Sequence, residues 1–195
     1  MMNARTIIRG YVLAVMFFVG FTSNAQWEHL RSGDLLFVSD TSGMGQAVKA
    51  STGSYTHVAL IEREGESLFI IDATPSLGVA RRQLSPFTFR PLPYDFYRLA
   101  IPFDTAAVIK RAKALIGKPY DNAFMPDNDA YYCSELIQAA FGDLFESKPM
   151  NWRDKDGNLP EYWKEHFKEL GMPVPEGTLG TNPTDLSQSP LLRKL

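Results

Sequence analysis

One cysteine, three histidines and a modest set of carboxylates are the residues in this 195-residue chain that could do covalent chemistry. The cysteine, Cys133, lies in Ala130-Tyr-Tyr-Cys-Ser-Glu-Leu-Ile-Gln138. The run before it, Gly117 to Asp129, is loop by composition, and the run after it repeats apolar residues at Leu136, Ile137, Ala140, Phe141 and Leu144, which is helical spacing. Cys133 therefore falls near a helix N-terminus, where unpaired N–H groups and the positive end of the helix dipole stabilise a thiolate and can donate to an oxyanion. A nucleophile needs a base. His57 opens a β-type run to Arg63, and Glu66 to Ala73 forms a second, with Glu64-Gly65 between them as a hairpin turn. With Arg63 opposite Glu66, His57 falls opposite Asp72, so imidazole and carboxylate share one side of the hairpin. Cysteine, histidine and an orienting carboxylate are the parts of a thiol hydrolase. Histidine takes the thiol proton or holds the thiolate as an ion pair, and the sulfur attacks an acyl carbon. The Cys133 N–H would meet the oxyanion, with the Tyr120 hydroxyl as a candidate second donor.

The elements that must position these groups follow from the rest of the pattern. Leu30 to Val38 reads as a turn leading into a strand apolar on both faces, and Met44 to Ala50 as a short helix at most. Gly78 to Arg82 and Asp95 to Leu99 read as further strands, with Arg81 and Arg82 expected in solvent. Asp104 or Thr105 caps a helix whose apolar face is Val108, Ala112, Leu115 and Ile116. A last helix spans about 161–170, where His166 reads as a surface residue, and the Pro-, Gly- and Ser-rich tail from Pro173 reads as a wrapping arm or a disordered end. The fold class expected is α+β.

Composition bounds the function. At 45% hydrophobic and 22% charged residues, the chain can bury one real core. A net charge of -2 gives no surplus for a nucleic-acid groove, so no nucleic-acid partner is expected. Arg5 and Arg9 precede an apolar run from Tyr11 to Phe21 and then Ser23-Asn24-Ala25, the pattern of a cleaved secretory signal. The expectation is a signal over 1–25, one domain over 26–195, a periplasmic or secreted product, and no stable membrane span after cleavage. An exported chain with one cysteine cannot close an internal disulfide, so the thiol must be buried or used. One cysteine and three scattered histidines make no zinc site. Asp154 to Asn158 departs from a calcium loop in its glycine position and in Pro160, and no phosphate-binding glycine loop is present, so neither metal nor cofactor is expected.

Gly117-Lys-Pro-Tyr120 followed by Tyr131-Tyr-Cys-Ser-Glu-Leu-Ile137 resembles the nucleophile segment of NlpC-type cysteine peptidases, and Thr56-His-Val-Ala-Leu-Ile61 their histidine strand. Histidine precedes cysteine here, which resembles the circularly permuted branch, the YiiX/YaeF-like permuted papain-like amidases. Gly33-Asp34-Leu35-Leu36, Ser54 to Val58, Asp72 and Tyr132 to Leu136 follow that branch in order. Relatives often carry glutamate at the acidic position, and aspartate shortens the reach. The resemblance implies a papain-like antiparallel sheet carrying His57 and Asp72, packed against the Cys133 helix. It adds Tyr132 and Ser54 to Tyr120 as oxyanion or substrate-binding candidates. It implies a cysteine hydrolase acting on a small peptide, cell-wall fragment or N-acyl amino compound. The alternatives are a thiol acyltransferase or thioesterase on lipids, and an envelope binding module without catalysis.

Overall fold

The computed structural model describes residues 27–85, 91–142 and 144–195, so the expected signal segment lies outside the described residues. The centre is a six-stranded sheet ordered β4-β3-β2-β1-β5-β8, with every neighbouring pair antiparallel. Its strands are β1 (Leu35–Val38), β2 (His57–Glu64), β3 (Ser67–Thr74), β4 (Gly78–Gln83), β5 (Tyr94–Leu99) and β8 (Leu192–Lys194). Helix α1 (Gly43–Thr52) joins β1 to β2, α2 (Thr105–Ala114) follows β5, and α3 (Cys133–Phe141) carries the cysteine at its first residue. The C-terminal part adds β6 (Lys148–Pro149), α4 (Glu161–Glu169), β7 (Leu179–Gly180) and α5 (Pro183–Ser187). No helix among the described residues is long and apolar enough to cross a membrane.

Both faces of the sheet are covered, which is why β1 is buried at every position. Leu35, Phe37, Val58, Leu60, Ile71 and Ala73 pack against Val108 and Ala112 of α2 and Leu136, Ile137 and Ala140 of α3. Strand alternation sends Leu36, Val38, Ala59, Ile61, Leu68 and Ile70 to the other face, under Trp27, Leu30, Leu84 and Phe96. A third cluster of Phe124, Tyr132, Trp152, Trp163 and Phe167 joins α4 to the segment before α3.

The central hairpin departs from the expected register by two residues. Arg63 lies opposite Leu68 and Leu60 opposite Ile71, rather than Arg63 opposite Glu66 and His57 opposite Asp72. The turn is Gly65-Glu66, with Gly65 at φ 59° in the first loop position, where a two-residue II′ hairpin places glycine. Glu64 thus remains in the strand. A slip of two residues keeps every side chain on its face, whereas a slip of one would have separated His57 from Asp72.

The C-terminal tail is an ordered arm. Asn182 caps α5 by accepting a hydrogen bond from the Asp185 N–H, Pro183 occupies the first turn, and β8 pairs with the edge of β5 through Leu192 and Leu99. Asparagine followed by proline was the helix-start signal inside a stretch that reads as loop by composition.

Candidate active site

The approach to α3 is built by hydrogen bonds within a short loop. The buried Asp121 carboxylate accepts from the backbone N–H groups of Ala123 (2.9 Å) and Met125 (2.8 Å), and Tyr131 N–H donates to the Pro119 carbonyl. Phe124 sits at φ 54°, a region that a bulky residue rarely adopts, and its ring closes the aromatic cluster 5.2 Å from both Tyr132 and Trp152. The loop is tied to the sheet: Val79 N–H donates to the Lys118 carbonyl and Gly117 N–H to the Val79 carbonyl. Gly78, at φ 63°, has no room for a Cβ against that same carbonyl. Tyr132 then takes extended geometry as the residue that caps α3, and its N–H donates to Glu135, 3.4 Å away. Cys133 thereby begins the helix with its side chain 7% exposed.

The histidine and the carboxylate come from the sheet. His57 Nε2 lies 2.9 Å from Asp72 Oδ2, with the carboxylate fully buried and the imidazole 18% exposed. His57 also hydrogen-bonds the Cys133 side chain. Asp72 and Cys133 thus both bond to the one imidazole. Burial works against a charged imidazole, but the bonds to Asp72 and Cys133 outweigh it, and the His57 pKa rises from 6.5 to about 10. Burial likewise works against a charged Asp72, but hydrogen bonds from His57 and Arg82 hold its carboxyl below the usual range. Sulfur beside a stabilised imidazolium at a helix N-terminus is the arrangement that favours a thiolate.

The remaining candidates separate. Tyr120 borders both cavities that reach Cys133, and burial first, then the nearby Cys133, push its phenol well above 10, so it stays a hydroxyl donor. Tyr132 is already engaged: its hydroxyl accepts the Thr181 N–H at 3.1 Å and lies 3.9 Å from Met150 Sδ. Burial pushes its pKa up to about 12. Its place is the wall of the site and the anchor of the C-terminal arm. Ser54 is exposed and lines neither of these cavities. From the same segment Thr56 does, with its hydroxyl accepting the Asp40 N–H at 2.7 Å and lying 3.2 Å from the Val38 carbonyl oxygen.

The two arginines of β4 are a correction to the sequence reading, which placed both in solvent. Arg81 Nε donates to Glu62 at 2.7 Å, and its guanidinium lies 3.4 Å over the Phe69 ring. Arg82 donates from Nη2 to Asp72 Oδ2 at 2.5 Å and from Nε to Oδ1 at 3.3 Å. The signal was in the alternation: β4 pairs Ala80 with Asp72, so Arg82, two residues on, shares the face of Asp72. His166 is also more than a surface residue, since its Nε2 donates to the Asn122 carbonyl (2.7 Å) and its ring stacks on Tyr162.

Two cavities meet at Cys133. One, about 200 Å³, is bordered by His57, Asp40, Arg82 and Thr74. The other, about 70 Å³, is bordered by Met44, Val48, Phe124, Trp152 and Trp163. Thr56, Tyr120, Met44 and Cys133 itself belong to both. Cys133 thus borders both, and the charged side chains lie only along the first.

Residues 29–195 match the model of a family described as permuted papain-like amidase enzymes, YaeF/YiiX. This chain belongs to that family. As a permuted papain-like amidase it is an enzyme, a cysteine hydrolase of the papain-like α+β fold with its cysteine at a helix start. A crystal structure of YiiX from Escherichia coli has the same fold, with a TM-score of 0.72 at 22% identity, covering 85% of this chain and 96% of that one. No curated protein sequence matches the amidase. The YiiX structure is described as that of a metalloprotein. Among the described residues of this amidase, no group of three or more His, Cys, Asp or Glu side chains could hold a metal ion.

Proposed function

We propose that this amidase is exported and cleaves an N-acyl amino compound or small peptide through a thioester, with Cys133 as nucleophile, His57 as base and then acid, and Asp72 as the orienting residue. The observation that carries it is the unbroken contact from Asp72 through His57 to Cys133 at the first residue of α3. In the first step the sulfur bonds to the acyl carbon, the carbon–nitrogen bond breaks, and the proton held by His57 goes to the leaving amine. Water then attacks the thioester, giving its proton to His57, and the acid leaves as the thiol is restored. On this reading the Cys133 N–H and the Tyr120 hydroxyl receive the oxyanion.

The two cavities support an orientation for the substrate. His57 must reach the leaving nitrogen, and it borders only the larger cavity, so on this reading the amine departs there. The acyl portion then lies toward Met44, Phe124 and Trp152. The enzyme's partners on this reading are small: a peptide, an N-acyl amino compound or a lipid-like amide. Export, to the periplasm or outside the cell, rests on the N-terminal pattern of Arg5, Arg9 and the apolar run to Phe21.

The test is intact mass after acid quench of the protein mixed with N-acyl amino acids of graded chain length. The expected result is an acyl adduct on Cys133 that hydroxylamine releases and that Cys133→Ala lacks. Faster adduct turnover on adding an amine or alcohol than in water alone would reassign the enzyme to acyl transfer. No adduct, together with unchanged ligand affinity in Cys133→Ala, would overturn the proposal in favour of a binding module.

A further inference from the structure

The sequence assigns three residues to the chemistry, yet the buried carboxylate among them has a second cation on it. Asp72 Oδ2 is shared: His57 Nε2 approaches at 2.9 Å and Arg82 Nη2 at 2.5 Å, while Arg82 Nε reaches Oδ1. The two cationic nitrogens can be no farther apart than the sum of those two bonds. The Arg82 side chain is only 32% exposed and borders the larger cavity with His57 and Cys133. Its neighbour Arg81 points to the opposite face of the sheet, so the chain places one specific guanidinium here.

Charge gives this contact its meaning. With a thiolate on Cys133, an imidazolium on His57 and a carboxylate on Asp72, the set carries a net charge of minus one, and Asp72 has no exposure to water at all. An uncompensated charge in such a place is costly, and the site can relieve it by keeping the thiol protonated. Asp40, the other carboxylate facing His57, adds to the negative side, although it is half-exposed and bonded by Ser42. Tyr120 faces the sulfur as a neutral phenol. Arg82 is thus the permanent cation that faces this group.

We propose that Arg82 is a fourth member of the active-site group, a positioning residue whose charge neutralises the Cys133–His57–Asp72 set and whose fork fixes the Asp72 carboxylate, so that the thiolate form is held at neutral pH. Arginine suits both tasks, because its planar fork grips a carboxylate at two points and it never loses its proton. The inference rests on the thiolate–imidazolium reading of the site and adds a residue to it.

The experiment is the rate of Cys133 alkylation by iodoacetamide against pH in the wild type, Arg82→Gln, Arg82→Lys and Arg81→Gln, with a thermal melt on each to establish that it is folded. In Arg82→Gln the midpoint should rise by about one pH unit, the lower end of what one lost charge at close range produces. In Arg82→Lys it should stay within about 0.3 unit of the wild type, since the charge remains. Arg81→Gln should lower the melting temperature and leave the midpoint where it was, which separates a structural role from this one. A folded Arg82→Gln with the wild-type midpoint would overturn the inference, and so would equal rises in the Gln and Lys variants, because charge would then not be the cause. A wild-type protein that reacts only as a free thiol would overturn the thiolate reading as well, and so marks a different failure.

Discussion

Arg81 and Arg82 are adjacent in β4 and meet buried carboxylates on opposite faces of the same sheet. Arg81 meets Glu62, which is 5% exposed and also paired with Lys113 of α2. Arg82 meets Asp72, which is paired with His57. The first set closes on two permanent cations and joins β2, β4 and α2, with no reactive group beside it. The second set has one permanent cation and one group that titrates, and that group touches the only cysteine. What separates the two sets is whether one partner can change its charge beside a thiol.

The largest effect should come from breaking the second set at its carboxylate. Asp72→Asn keeps the shape but loses the charge that holds the imidazolium, and kcat/KM on an amide substrate should fall by roughly 10²-fold or more, while Glu62→Gln changes it less than about threefold. Equal losses in steady-state assays of the two variants would erase the distinction. Next, truncating Glu62 strands Arg81 and Lys113 around a buried gap. Glu62→Ala should cost about 3 kcal/mol in urea unfolding, with alkylation of Cys133 unaltered in the folded protein.

Two tyrosines near the cysteine offer a similar contrast. Tyr120→Phe removes the hydroxyl proposed for the oxyanion and should lower kcat by about tenfold with KM little changed, whereas Tyr132→Phe removes the acceptor of the Thr181 N–H and should cost about 1 kcal/mol of stability with kcat intact. Reversed results would exchange their roles.

The smallest effect is in the acid titration. The Asp72 pKa is lowered by folding, so its charge stabilises the native state above the unfolded value of 3.8, and that contribution is lost as pH falls through the folded value. The stability gap between wild type and Asp72→Asn should therefore close progressively below about pH 4. His57 works in the other direction. Its pKa is raised, so its contribution is complete below 6.5 and lost as pH rises toward about 10, and alkaline melts of His57→Ala should show the smaller drop.

Much of this arrangement was legible from residue order. The cysteine at a helix start, the histidine at the head of a strand and the aspartate near the end of the next all follow from periodicity and turn residues. The hairpin register was off by two because Glu64-Gly65 and Gly65-Glu66 both present a glycine to the turn. Only the second gives glycine the first loop position. The pairing of Arg82 with Asp72 needed the β3–β4 register, and the turn at Thr74 to Gly78 leaves that register open. Ser54 and Thr56 lie on one short segment with similar chemistry. Which of them reached the site depended on how the chain leaves α1, and one faces solvent while the other lines the cavities that border Cys133.

What the sequence determined by itself was local: which residues are helical or extended, which alternate inward, and which single thiol stands where a helix dipole can act on it. Period and turn chemistry are properties of neighbours along the chain. What only the tertiary structure decided was which charges share an oxygen and which walls enclose the sulfur. A hydrogen bond of 2.9 Å between β2 and β3, an arginine from β4 on the same carboxylate, and aromatic rings from α4 beside a loop forty residues away depend on how separate elements pack. Such contacts are fixed by the burial of two sheet faces at once, a constraint that no window of local sequence contains.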